Sequence, residues 1–294
     1  MTCRALLLVN PGARQGSEGV RELRAALEGH GFALVDDPAA GPERFPELIA
    51  RHRENVDAVL AGGGDGTLNA AVQGLVGTGL PLGVLPLGTA NNLARTLGIP
   101  PDIDAAAAIA ARGHRRRIDL GLVNDRYFFT TASIGLSVQI TEELSSESKR
   151  RWGVLAYGVA AVRTLARAPR FHAEISWEGG TRRSRTLQLV VGNGRYYGQA
   201  LAVAEDAAID DAQLDLYSLE VRHWWQLLGL LPALRRGSHG EHDRVEAIRA
   251  PAFEVRTRTP RDINIDGEVC LRTPATFRVV PGAIEVFAPT DGAG

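Results

Sequence analysis

Asp57-Ala-Val-Leu-Ala-Gly-Gly-Gly-Asp-Gly-Thr-Leu-Asn69 runs an apolar strand straight into three glycines, a carboxylate, a fourth glycine and a threonine. Glycines without Cβ atoms let backbone N–H groups approach an anion, and the helix expected over about Gly66 to Val76 would aim its positive end at the same place. Asp65 stands where a magnesium ion would offset phosphate charge. A dinucleotide fingerprint beginning at Gly62 requires glycine where Thr67 stands. A Walker loop requires Gly-Lys-Ser/Thr, and Lys149 is the only lysine in the chain. The remaining readings of the stretch are a phosphate-binding loop and a plain strand-to-helix turn.

Apolar and helix-like segments alternate outward from this loop. Ala5 to Val9, Phe32 to Val35, Ala58 to Ala61 and Leu82 to Leu87 read as strands, and Glu18 to Glu28, Pro42 to Arg53, Asn91 to Leu97 and Ile103 to Ala111 as helices. This βαβ rhythm predicts a parallel sheet whose ligand site lies at the carboxyl ends of its strands. The loops at Asn10-Pro11-Gly12, Gly62 to Thr67 and Gly88 to Asn92 each follow a strand and are expected on one rim.

After Asp119 the segments turn β-like: 127–132, 173–177, 185–191, 200–204, 214–219, 253–257, 262–265, 276–280 and 284–287. Helices are expected over 140–167 and 224–234. The fold class is therefore α/β with an N-terminal parallel-sheet domain and a C-terminal, mainly antiparallel β domain.

The chain has 294 residues, 45% hydrophobic and 23% charged, with a formal net charge of −1, which gives no support to a dedicated nucleic-acid binder. Cys3 and Cys270 form neither a disulfide framework nor a zinc motif, and no segment is long and apolar enough to span a membrane. A cytoplasmic protein is expected, with any membrane contact peripheral. The basic and aromatic edges of 149–152 and 222–225 leave interfacial docking, core packing and a homodimer contact open for 224–234. His239 to Asp243 lacks the helical spacing of a zinc site and reads as a polar loop.

Gly63 to Asn69, Pro86 to Ala94 and the late Asn264-Ile-Asp-Gly-Glu268 together resemble the diacylglycerol kinase catalytic family, in particular its soluble bacterial lipid kinases, relatives of sphingosine and ceramide kinases. The resemblance implies a nucleotide-binding α/β domain over 1–122, joined by 283–294, and a lipid-binding β-sandwich over 123–282, with ATP and Mg2+ as cofactors. It assigns Asn10, Pro11, Gly12, Ala13 and Arg14 to a first nucleotide loop, and Gly63, Gly64, Asp65, Gly66, Thr67, Leu68 and Asn69 to the phosphate loop. Gly88, Thr89 and Asn91 fall in a second loop. Asp266 and Glu268 fall on the carboxylates that deprotonate the acceptor hydroxyl, with Asp65 organising metal together with Asp119. Asp211 and the carbonyls of Ala208 and Gln213 would hold a structural magnesium ion.

Three positions depart from the family pattern: Asn92 for aspartate, Ala212 for glycine and Glu205 for proline. With no lysine in the loop, Arg14 and Arg95 are candidates to meet phosphate. From the residues alone, Asp266-Gly267 is also a strong hairpin-turn signal, and the alternative for Asp119 is a solvated strand end. The expected activity is ATP-dependent phosphorylation of a membrane-derived lipid alcohol such as a diacylglycerol, a sphingoid base or phosphatidylglycerol at the inner membrane face. The alternatives are an NAD kinase-like enzyme and a non-catalytic nucleotide or lipid sensor. Asp65→Ala and Asp266→Asn are each expected to abolish phosphorylation with the fold intact.

Overall fold

The computed structural model describes residues 2–10, 16–35, 41–138, 169–193, 196–197, 201–202, 208–221, 226 and 245–290. The chain divides into two compact units. Met1–Leu120, Ile209–Asp211 and Val280–Gly294 form the first, and Gly121–Ala208 with Ala212–Val279 the second.

In chain order the first unit contains β1 (Cys3–Val9), α1 (Gly16–Gly29), β2 (Phe32–Val35), a 3-10 turn (Pro42–Arg44), α2 (Phe45–His52), β3 (Ala58–Gly63), α3 (Asp65–Leu75), β4 (Leu82–Pro86), α4 (Asn92–Thr96) and α5 (Ile103–Arg112). β5 (Arg115–Val123) leaves it for the second unit. The sheet order is β2-β1-β3-β4, all parallel. Val59, Leu60 and Ala61 are fully buried, as expected of a central strand covered on both faces. Leu68, Ala71, Val72 and Leu75 recur at helical spacing and give α3 its buried stripe. Helices α2 and α3 pack together, as do α1 and α5. In this strand order the switch point falls between β1 and β3, whose carboxyl ends are set side by side by the pairing of Val9 with Gly62.

The second unit holds β6 (Arg126–Phe128), β7 (Thr131–Gly135), β8 (Phe171–Trp177), β9 (Gly180–Thr186), β10 (Gln188–Gly192), the short pair β11 (Tyr196–Tyr197) and β12 (Leu201–Ala202), β13 (Leu214–Leu219), β14 (Val245–Ala250), β15 (Ala252–Thr257), β16 (Asp262–Ile265) and β17 (Glu268–Arg272). The last strand, β18 (Ala275–Phe287), begins in this unit and ends in the first, where Val286 pairs parallel to Leu82 of β4. Two antiparallel layers make a sandwich: β14-β13-β10-β7-β16-β17, and the start of β18 followed by β15, β8 and β9. Side chains of both layers, among them Ile134, Val191, Ile263, Phe253, Ile175 and Phe277, meet in one buried core.

Three expected strands differ from the observed ones. The run 127–132 is broken at Phe129 and Thr130, whose amides bond a carboxylate rather than a neighbouring strand. The run 185–191 is broken at Leu187, where the chain passes from the β9 layer to the β10 layer. Ala275–Phe287 is continuous through Pro281 and Gly282, because the strand changes partners there and proline needs no acceptor for an amide. β9, β14 and β17 carry exposed polar residues and lack the apolar signal that marks the other strands, and β5 opens on Arg115-Arg116-Arg117 ahead of its buried residues. The stretches 140–167, 222–225 and 239–243 lie outside the described residues, as do nearly all of 224–234 and most of 200–204. Among the described residues no helix is long and apolar enough to cross a membrane.

Phe253 is 1% exposed between the layers. Phe253→Ala is expected to cost about 3–5 kcal/mol through lost transfer energy and the cavity left behind. A urea denaturation midpoint close to that of the parent would contradict this packing.

Candidate active site

The carboxyl ends of β1, β3 and β4 finish level, with Val9 beside Gly62 and Gly63 beside Pro86. The three predicted loops therefore start from one rim. Asn10 is partly buried there, whereas Pro11, Gly12, Ala13 and Arg14 lie outside the described residues.

Between β3 and α3 the chain turns through Gly64, an extended N-cap with no side chain to cap the helix. The N–H groups of a helix's first turn have no intrahelical acceptor, so Asp65, Gly66 and Thr67 present amides of the kind that bind anions. Leu87 N donates to Gly63 O at 3.0 Å and brings the second loop alongside the first. A Cβ on Gly64 would sit 3.3 Å from Gly88 Cα, and one on Gly88 would collide with the Gly64 backbone. A Cβ on Gly63 would collide with Thr67, which is buried, as are Leu68 and Asn69. Asn69 accepts from Gln73 Nε2 through both its backbone carbonyl and its Oδ1. Asn91 adopts the left-handed region, φ 48°, and holds Gly88 at both ends: its Oδ1 accepts from Gly88 N and its Nδ2 donates to Gly88 O, each at 3.0 Å. Thr89 beside it is exposed, as is Arg95.

Asp65 is tied across to this second loop. Its Oδ2 accepts from Asn92 Nδ2 and its Oδ1 from Leu93 N, both at 3.2 Å, so Asp65 caps α4 where Asn91 provides no side-chain cap. Asn92 in place of aspartate supplies a donor to this carboxylate, where a second carboxylate would repel it. Its own Oδ1 is buried with no hydrogen-bond partner. Asp119 is 4% exposed inside β5, not a solvated strand end. Its Oδ1 accepts from Gly282 N at 2.7 Å, and its amide donates to Ile209 O at 2.8 Å. Arg116 fixes the same turn through Asp210 at 2.7 Å. Asp211, Ala212 and Gln213 follow, Ala212 taking φ 56° where the pattern has glycine, and Ala208 precedes. Among the described residues no three His, Cys, Asp or Glu side chains cluster as a ready-made metal centre. Asp65 with the orphaned oxygen of Asn92 nevertheless offers the hard oxygen donors that suit magnesium, which takes one or two protein ligands and draws the rest from phosphate and water.

In the second unit Asp266 and Gly267 form the two-residue turn joining β16 to β17. Both have positive φ, 46° and 103°, as a type I′ hairpin requires. Asn264 Oδ1 accepts from Gly267 N and steadies the turn. The turn reading is thus observed, and its carboxylate does more. Asp266 Oδ2 accepts from Phe129 N at 2.8 Å, and Oδ1 accepts from Thr130 N, Thr130 Oγ1 and Thr131 N at 3.0, 2.6 and 3.0 Å. Asn193, 3% exposed, braces that peptide stretch from behind, with Nδ2 donating to Phe129 O and its amide to Thr130 O. Glu268 is exposed on the neighbouring strand. Thr130 and Asn193 escaped the sequence reading. The signal for the second was there, since Gly192-Asn193 follows an apolar strand as the other loops do.

Cys3 and Cys270 are free. Burial pushes both thiols up, with Asp57 adding to the effect at Cys3, and at Cys270 Arg126 opposes it more than Glu268 adds. Neither is poised as a thiolate nucleophile.

A model of the diacylglycerol kinase catalytic domain matches residues 4–123, and a model of the YegS C-terminal NAD kinase beta sandwich-like domain matches 130–288. Two diacylglycerol kinases of Staphylococcus aureus, from strains bovine RF122 / ET3-1 and JH9, are 31% and 32% identical over 99% of this chain and 94% of their own length. The chain belongs to the diacylglycerol kinase family. It is accordingly a lipid kinase, a transferase of phosphoryl groups. Two crystal structures from Bacillus anthracis str. Sterne share its fold at 23% identity. One superposes with a TM-score of 0.84 over 98% of this chain and 96% of that one. The other, of a diacylglycerol kinase, gives 0.80 over 97% of each.

Asn92→Asp is expected to lower stability by about 2 kcal/mol in chelator, since it trades a charge-assisted hydrogen bond for repulsion. Magnesium should restore much of the loss. Thermal melts with and without the ion read this directly, and a variant as stable as the parent in chelator contradicts the Asp65–Asn92 contact.

Proposed function

We propose that this lipid kinase transfers the γ-phosphoryl group of ATP to the hydroxyl of a membrane-derived lipid alcohol of the diacylglycerol type, working peripherally at the cytoplasmic face of the membrane. In this reading residues 1–122 with 283–294 serve the nucleotide and 123–282 serve the lipid. The observation that carries it is the loop Gly63 to Asn69: an uncapped helix start, approached by the Gly88 backbone and followed at once by an anchored carboxylate. Kinship with the Staphylococcus aureus diacylglycerol kinases supports the choice of lipid, and family membership implies ATP.

Each residue then has a physical task. Amides of Gly64 to Thr67 hold phosphate oxygens, and the N-terminal end of α3 favours their charge. Asp65 and Asn92 would hold magnesium, whose charge would offset that of the phosphates. Asp266 takes the proton of the acceptor hydroxyl, with Glu268 beside it in sequence. The acceptor oxygen forms the new bond to the γ-phosphorus as the bond to the β–γ bridging oxygen breaks, and ADP leaves. Four hydrogen bonds fix the Asp266 carboxylate in orientation, which is what a positioned base requires. Asp119 and Asp211 are assigned to metal only through the family pattern. The partners of Asp119 in hand give it the further task of tethering the Ile209–Asp211 turn to the last strand.

The hydrogen bonds of Asp266 also revise the expectation that Asp266→Asn is neutral for folding. An amide in its place must turn an NH2 group toward backbone donors, at a cost of about 1–3 kcal/mol. Purified protein incubated with labelled ATP and fractionated lipid extract should label a diacylglycerol-like alcohol. Asp65→Ala and Asp266→Asn should each lower turnover about 10²–10⁴-fold at temperatures where melts show them folded. Thr130→Ala, which strips one donor from the same carboxylate but leaves the base in place, should stay far more active than Asp266→Asn. Near-normal turnover by folded Asp266→Asn removes the base assignment, and label in NAD rather than lipid overturns the substrate class.

A further inference from the structure

Two consecutive peptide groups of the second unit are gripped from both ends. The peptide between Phe129 and Thr130 accepts from Asn193 Nδ2 at 3.0 Å through its oxygen and donates to Asp266 Oδ1 at 3.0 Å through its nitrogen. The next peptide, between Thr130 and Thr131, accepts from the Asn193 amide at 2.9 Å and donates to the same Oδ1 at 3.0 Å. Asn193 therefore stands one peptide away from the Asp266 carboxylate along two routes, and both routes end on one oxygen.

In an extended strand successive amides point to opposite sides, whereas those of Phe129, Thr130 and Thr131 all point at one carboxylate. Such a row of amides is a nest, a concavity that binds anions. It turns the carbonyls of Phe129 and Thr130 together to the other side, where they need donors of their own. Asn193, 3% exposed, supplies both. The hairpin does not account for this arrangement. Its turn is set by the positive φ of Asp266 and Gly267 and by the bond from Gly267 N to Asn264 Oδ1, none of which involves Asn193.

A peptide that accepts at its oxygen donates more strongly from its nitrogen, because the two bonds polarise it in the same sense. Asn193 thus fixes the direction of the Thr130 and Thr131 N–H groups and strengthens their hold on Oδ1. We propose that Asn193 is a positioning residue for phosphoryl transfer, acting on Asp266 through these two peptides. A carboxylate released to turn meets the acceptor hydroxyl in fewer productive geometries, so loss of the asparagine falls on the chemical step and not on substrate binding. The inference rests on the reading of Asp266 as the base, and the two can fail separately.

The test is a double-mutant cycle on the full chain, with steady-state kinetics on lipid in detergent micelles and a thermal melt of every variant. Asn193→Ala deletes the Nδ2 donor and keeps the backbone amide. It should lower kcat about 10- to 10²-fold, the scale of a displacement of about 1 Å at a reacting group, with KM for ATP and for lipid within about twofold of the parent. Placed on Asp266→Asn, the same substitution should lower kcat less than about twofold, because the group that it positions is gone. An asparagine that served only to hold the fold would lower kcat alike in both backgrounds. Asn193→Ser keeps a hydroxyl donor and should retain more of the parent kcat than the alanine variant. It takes that variant's place in the cycle if Asn193→Ala melts below the assay temperature. Parent-like kcat in Asn193→Ala, a loss confined to KM, or equal losses in the two backgrounds overturns the inference with the base assignment intact. Near-normal turnover by folded Asp266→Asn overturns both.

Discussion

The contact between the Gly64 and Gly88 backbones is the constraint on which the first unit's site is built. Two loops from adjacent parallel strands approach closer than any side chain would permit, and Leu87 N to Gly63 O locks the approach. Only then can Asp65, the first residue of one helix, reach the start of another and satisfy Leu93 N. One carboxylate thus serves as a cap for α4 and as the acidic centre of the glycine loop. The lone oxygen of Asn92 left beside it is the kind of buried acceptor that a bound ion or its water would satisfy.

The second unit solves a similar problem with a tight hairpin. Asp266 sits in a left-handed conformation that a two-residue turn demands, and its side chain is oriented by the three consecutive amides from Phe129 to Thr131. The same bonds explain why β6 and β7 are separate strands: their junction is organised by a side chain from far along the chain instead of by a ladder. Asn193 holds the reverse side of that junction, so the carboxylate faces a surface with little freedom to yield.

Much of this was legible in the sequence because the signals were local. Glycines, Asp65 and the apolar run before them announce a strand, a tight turn and a helix start within thirteen residues, and Asp266-Gly267 announces its turn in two. What escaped depends on distance along the chain. Nothing near Thr130 indicates that its amide belongs to a residue 136 positions away. β9, Gly180–Thr186, reads as polar because one of its faces is nearly all arginine and threonine, and only its pairing with β8 makes it a strand. A solvated strand end stayed open for Asp119 because nothing near it in sequence tells that Gly282 returns to cover it.

That return has a consequence for how the molecule is made. The first unit is interrupted after Leu120 and regains its last pieces only at Ile209–Asp211 and from Val280 onward. During synthesis the parallel sheet must wait, with the edge of β4 unpaired, until the strand carrying Val286, the partner of Leu82, emerges from the ribosome. The sandwich is thus an insertion into an unfinished host, and the host's assembly is a closure across a very long loop. Shortening the chain ahead of Val286 would leave β4 with a bare edge and Asp119 without its amide, a lesion felt by the domain that was translated first.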